Sequence, residues 1–198
     1  KLSLGINSNE DIVEKINEIL NNKKDCVINI VNDKLTLSVF SLLEKNLKNV
    51  REINFIIRNT KYIPKQSEIS KEFDISGSAK DMLFNSYDIV EKNKLQHFKK
   101  AKNMYEFIKK HVNVKKVKKG ISIGSNIIII DEDFMIQGSS SLELSSKATN
   151  KRSINFDTVI NSSMDKNQII NAKNTFNKIW FGENITEDFK NELLKSLS

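Results

Sequence analysis

One cysteine (Cys26), one proline (Pro64), six glycines and two histidines (His97 and His111) set the first limits on this 198-residue chain. A lone thiol excludes an internal disulfide framework and fits a reducing compartment, so a cytoplasmic location is expected. No apolar run approaches the roughly 18 residues that a membrane helix needs. The longest, residues 127–130, has strand length, and no membrane partner is expected. No Cys/His cluster has metal-ligand spacing and no Gly-x-x-x-x-Gly-Lys-[Ser/Thr] loop occurs, which argues against zinc and against P-loop nucleotide binding. No cofactor is expected. Residues 1–5 have neither an initiator Met nor the charged-then-apolar layout of a secretory leader, and they read as the start of a piece cut from a longer protein.

What is present is a 38% hydrophobic, 29% charged chain. It is long enough to bury a core without metal or disulfide, and it reads as one domain over residues 1–198. The net charge of +7 is unevenly placed. Residues 92–119 hold eleven lysines and one acid, Glu106, a local +10 on a remainder that is net acidic. Such a stripe is the electrostatic footprint of a polyanion binder. Lys99, Lys100, Lys102, Lys109, Lys110, Lys115, Lys116, Lys118 and Lys119 are the candidate contacts to DNA or RNA. Phosphate contacts carry no sequence specificity directly. The alternative is that these lysines form only a solvated helix face.

Apolar periodicity predicts helices over 10–21 (capped by Asn9), 35–47, 79–90, 95–111 and 165–180, and a last helix capped by Thr186. Strands are predicted at 26–31, 51–58, 112–117, 126–131, 134–138 and 154–161. The first two strands with their intervening helix form a βαβ unit with parallel pairing. Residues 59–77 carry loop signals, Asp131-Glu132-Asp133 is the tight turn of a hairpin, and 139–147 can start a short helix. Within 95–111 the face Leu95, Phe98, Ala101, Tyr105, Ile108, continued by Val112, should dock on the sheet with the lysines outward. The architecture expected is α/β, a mixed sheet sandwiched between helices.

The chemical inventory is thin. Cys26 sits in an apolar strand and reads as a buried, inert thiol. Ser139, Ser140 and Ser141 are candidate nucleophiles without an identifiable base, and His111 reads as a surface residue among lysines. The informative stretch is Gly124-Ser-Asn-Ile-Ile-Ile-Ile-Asp131, then Phe134-Met-Ile-Gln-Gly-Ser-Ser-Ser-Leu142, then Ile154-Asn-Phe-Asp-Thr-Val-Ile160. It resembles the core of the phospholipase D superfamily, in which a strand carries His-x-Lys and ends at Asp, a second ends in Gly-Ser, and a third carries Asn-x-Glu. The basic helix, the strand after it and the tail Phe176-Asn-Lys-Ile-Trp180 resemble the phospholipase D-like domain that precedes bacterial Swi/Snf-type superfamily II helicases.

The resemblance implies a phospholipase D-like half-domain and, in an intact family site, metal-free phosphoryl transfer. There the His attacks phosphorus, the Lys and Asn hold its oxygens, and a second His protonates the leaving group. Aligned on Asp131, this chain has Gly124 in place of the His and Asn126 in place of the Lys. Ser141 stands for the Asn after Gly-Ser, and Asp157 for the Glu, with Asn155 kept. A glycine cannot attack phosphorus, and an amide cannot offset phosphoryl charge as an ammonium does. His97-Phe-Lys99 offers a second His-x-Lys, but with Met104 at the Asp position and no Gly-Ser turn following.

The resulting expectation is a non-catalytic accessory domain of a helicase-type protein. It would bind nucleic acid or a partner through the basic face, with Gly124, Ser125, Asn126, Ser139, Ser140, Ser141 and Asn155 lining the remnant pocket. Because the family joins two motif copies, a homodimer is also expected. Two alternatives stay open: an active nuclease or phosphodiesterase, and a purely structural or dimerisation module.

Overall fold

The computed structural model describes residues 3–7, 9–58, 95–142 and 155–197. The predicted loop 59–77, the predicted helix 79–90 and residues 143–147 of the predicted short helix lie outside these. Residues 139–142 are not helical.

Eight strands form one mixed sheet in the order β1-β7-β6-β5-β2-β3-β4-β8. They are β1 (Ser3–Asn7), β2 (Cys26–Asn32), β3 (Val50–Ile57), β4 (Val112–Val117), β5 (Asn126–Ile130), β6 (Phe134–Gly138), β7 (Asn155–Asn161) and β8 (Thr186–Asp188). The helices are α1 (Asn9–Asn21), α2 (Leu37–Leu47), α3 (Leu95–His111), α4 (Ser162–Phe181) and α5 (Lys190–Leu197). Strands β2, β3 and β4 run parallel, as βαβ connectivity demands. All other pairings are antiparallel.

Side-chain alternation along the strands divides the core in two. Ile28, Ile30, Ile53, Phe55, Val112, Val114 and Ile128 face a layer built from α1, α2, α3 and α5. Val31, Ile56, Val117, Ile129, Met135 and Ile160 face the other way, onto Ile169 and Phe176 of α4. In α4, Phe176 stacks on Trp180 with centroids 5.7 Å apart. Phe176, Ile179 and Trp180 thus form the apolar stripe that closes this second core.

Four sequence expectations need correction. Helix α2 begins at Leu37, because the Thr36 hydroxyl accepts the Val39 N–H at 3.5 Å and stops the helix there. Leu35 instead bridges to Leu142, and Leu42, whose spacing in the sequence sets it on one side of this helix with Val39, Leu43 and Leu47, is 50% exposed. Among the described side chains of α3 the deepest is Met104, which the expected stripe omitted. Thr186 caps no helix. It is buried in β8 and donates to the carbonyl of Ile179 at 3.2 Å, while Asp188 accepts the Lys190 N–H at 2.9 Å. Both edge strands, β1 and β8, lacked a sequence signal: one is five residues long and the other three.

The β5–β6 turn is pinned from the far end of α1. Asp131 adopts φ 53°, its carboxylate accepts the Val27 N–H at 2.9 Å, and Lys23 bonds both Asp131 (3.0 Å) and Asp133. Burial pulls the Lys23 pKa down, but the hydrogen bonds to Asp133 and Asp131 outweigh it, and the net value stands above the ordinary 10.5. The pair's contribution is therefore complete below the unfolded pKa and disappears as pH rises through the higher folded one. Lys23→Ala should cost about 1–2 kcal/mol at pH 7 by urea denaturation, and the gap to the native protein should close only at strongly alkaline pH.

Candidate functional site

The carboxyl ends of β2 and β3, the amino ends of β5 and β7 and the carboxyl end of β6 lie on one edge of the sheet, given the pairing. In α/β sheets, ligands enter at the carboxyl ends of the parallel strands. Gly124, Ser125, Asn126, Ser139, Ser140, Ser141 and the backbone of Asn155 all belong to this edge, so the fold does assemble the residues expected from sequence. What they do there differs from a pocket lining.

Asn126 and Asp157 are buried, 4% and 3% exposed. The Asp157 carboxylate accepts the Ser140 N–H at 3.1 Å and the Ser140 hydroxyl. Asn126 Nδ2 donates to the Ser140 carbonyl at 2.8 Å and reaches the Ser139 carbonyl at 3.5 Å. Asn32, wholly buried, donates to that same Ser140 carbonyl at 3.3 Å, and its Oδ1 accepts the N–H groups of Leu142 (3.3 Å) and Lys34 (3.2 Å). The Ser141 hydroxyl donates to Asp33 at 2.7 Å, and Ser139 Oγ accepts the Phe156 N–H at 3.1 Å. Every polar group of Ser140 is thus held from inside the protein. Buried polar atoms require such partners.

Only glycine fits at position 138. A Cβ there would stand 2.1 Å from Asp157 Oδ1 and 2.3 Å from the Phe156 carbonyl oxygen. Gly138 faces Asp157 across the β6–β7 pair, and the carboxylate folds over the place a side chain would take. Gly124 is the opposite case: it is exposed, with nothing within 4 Å of where a Cβ would be.

The sequence missed Asn32, Asp33 and Arg58. Their available signal was position, a polar residue directly after an apolar parallel strand. Arg58 continues β3 by one bond, its N–H donating to the Asn32 carbonyl at 3.0 Å, and its Nη1 donates to the Ile123 carbonyl at 3.2 Å.

The lysines do not form one stripe. On α3, Lys99, Lys102, Lys109 and Lys110 are exposed and Lys100 is half-buried. Neighbouring residues of β4 point to opposite faces of the sheet. Lys115 bonds the Trp180 carbonyl at 2.7 Å and lies over its ring, whereas Lys116 pairs with Glu187 at 3.2 Å and lies over Phe189. Lys118 donates to the Glu183 carbonyl at 2.6 Å, and Lys119 is exposed beyond the strand. His97 and Lys99 lie near the start of α3; the His97 side chain is outside the described residues. His111 is half-buried rather than a plain surface residue, stacked on Phe107 and within 3.1 Å of the Arg51 carbonyl. Cys26 is 1% exposed, and burial, with Asp131 behind it, pushes its thiol pKa up, which leaves it unreactive as expected. Among the described residues no group of His, Cys, Asp and Glu could hold a metal ion, and no helix is long and apolar enough to cross a membrane.

No protein-family profile and no curated protein sequence matches the chain. The solved structures similar to it include these two. One is NucT from Helicobacter pylori, at 13% identity and a TM-score of 0.47, covering 93% of this chain and 97% of that one. The other is Nuc from Salmonella typhimurium, described as a phospholipase D family member, at 11% identity and a TM-score of 0.50, covering 95% and 98%. The second likeness shows the fold: a mixed sheet between helix layers, of phospholipase D type.

The Gly138 contacts make a sharp prediction. Gly138→Ala should lower stability by about 3 kcal/mol or more, because the backbone and a buried carboxylate block the new methyl group. A urea midpoint within error of the native protein would show that the β6–β7 edge is looser than described.

Proposed function

We propose that this chain is a phospholipase D-like domain without phosphoryl-transfer activity, engaging nucleic acid through the exposed lysines of α3. The observation that carries this reading is the state of the two positions aligned with the family's His and Lys. Gly124 presents bare backbone to solvent, and Asn126 is buried with its amide hydrogens turned onto the Ser139 and Ser140 carbonyls. Asp157, in the place of the Glu, is likewise bonded to Ser140. A nucleophile, and a cation to hold its phosphoryl oxygens, are both missing from those positions.

Lys99, Lys102, Lys109 and Lys110 lie along one exposed helix and suit contacts to a phosphate backbone. Lys115 and Lys116 of β4 and Lys118 just after it are excluded from this face, since they already bond the protein's own carbonyls and carboxylates. The finer assignments rest on the sequence resemblance: one domain across residues 1–198, joined to a helicase-type motor. A homodimer over the site edge would cover Phe156, which is 61% exposed beside Ser139.

Incubation with single- and double-stranded DNA, with and without chelator, tests the absence of catalysis. The expected result is no cleavage in either condition. Chelator-resistant cleavage that vanishes in His97→Ala would replace this reading with the active-nuclease one. For binding, fluorescence anisotropy against salt should give a log–log slope of roughly −3 to −4 on duplex DNA if all four exposed α3 lysines meet phosphates. Changing Lys99, Lys102, Lys109 and Lys110 to Glu should abolish binding. No binding by the native protein even at low salt would leave only the structural-module reading.

A further inference from the structure

Two bonds at the sheet's carboxyl edge go unmade. Among the described residues, the buried side-chain polar atoms without a partner are Arg58 Nε and Asn126 Oδ1. Both belong to strand ends of this one edge: Arg58 follows β3, and Asn126 opens β5. Orphaned buried groups are few in folded proteins, and each calls for a ligand, a water or another specific cause.

Arg58 is fixed from two directions. Its backbone N–H is bonded to Asn32, and its Nη1 to the carbonyl of Ile123, the residue before exposed Gly124. A guanidinium has five N–H donors and no acceptor, and the side-chain bond described here goes to a neutral carbonyl, not to a carboxylate. The cation is therefore held in place, and among the described residues no carboxylate pairs with its charge. The acceptor that matches it is a planar or tetrahedral oxyanion, because two oxygens fit the guanidinium fork. Arg58 is half-buried, so part of the residue meets solvent although Nε does not, and Gly124 beside its anchor is exposed.

We propose that Arg58 is the anion-binding residue of this edge and that its ligand is a phosphate group, in a nucleic-acid backbone or as free phosphate. The positive charge that Asn126 cannot supply from β5 is supplied from β3. For the nucleic-acid source this rests on the reading given above; for free phosphate it does not. The lysines of α3 then hold the polymer loosely along a helix, while Arg58 fixes one phosphate in a defined position.

Calorimetric titration with inorganic phosphate at constant ionic strength tests the proposal. It would use the native protein, Arg58→Gln, Arg58→Lys and a charge-matched control, Arg51→Gln. Arg51 stands at the opposite edge of the sheet, paired with Asp25 at 3.1 Å. The native protein and the control should bind phosphate equally. Arg58→Gln should lose about tenfold or more, as expected for a charge-assisted hydrogen bond, and Arg58→Lys should fall between. Where Arg58→Gln does not fold, Arg58→Lys decides, since it keeps the charge and removes Nε: weakened phosphate binding with an unchanged melting midpoint supports the site.

Phosphate binding that survives intact in the Arg58 variants, or no binding by the native protein, would overturn the proposal and leave Arg58 as a clip for the Ile123 carbonyl. A parallel titration with oligothymidylate separates the two readings. Loss in Arg58→Gln together with no effect of the α3 lysine-to-Glu changes keeps the phosphate site and removes the helix face as the binding surface.

Discussion

The carbonyl and N–H of Ser140 are the point on which this edge of the molecule turns. Asn32 from β2, Asn126 from β5 and Asp157 from β7 converge on a single residue just past β6. These are three strands of one sheet, so the contacts fix the chain leaving β6 relative to its neighbours. Leaving any one of these buried groups without its partner costs about 1–3 kcal/mol, more than the bond itself contributes. Asn32, Asn126 and Asp157 are turned inward onto Ser140, and in the fold they brace the chain leaving β6.

Charge follows a similar logic of placement. The lysines of residues 92–119 run together in sequence, but those of α3 and β4 part in space. A helix groups residues three and four apart on one face, whereas a strand sends alternate residues to opposite sides. The α3 lysines stay together and exposed. Those of β4 are divided between Trp180 of α4 on one face and Phe189 before α5 on the other, where they cover aromatic rings and bond carbonyls. Lys115, Lys116 and Lys118, three of the nine candidate contacts, are thus tied up in packing. Arg58, a cation at the site edge outside that stripe, comes from a part of the chain with no basic run.

Periodicity made the central architecture legible. The β2-α2-β3 unit, α3, the β5–β6 hairpin and α4 were each marked by an unbroken apolar pattern, and their pairing follows from handedness and turn length. The edge strands were not legible, because three polar residues such as Thr186–Asp188 have no pattern of their own and are strands only through β4. The site was legible as a set of positions and not as a set of roles. Gly138 could be placed in a Gly-Ser turn from sequence, but only the fold shows that Asp157 occupies the space where its side chain would lie. Asn32 and Asp33 carried no motif at all; they matter because a parallel strand ends there.

Ser140 is braced from within, and native-state hydrogen exchange at its backbone amide measures that directly. The Ser140 N–H should exchange as slowly as the amides of the neighbouring strands, and Asp157→Ala should release that protection by a larger factor than at residues of β2 or β3. Exchange in the native protein as fast as in an exposed turn would contradict it, and would mean that Asn126 and Asp157 are available to a ligand after all.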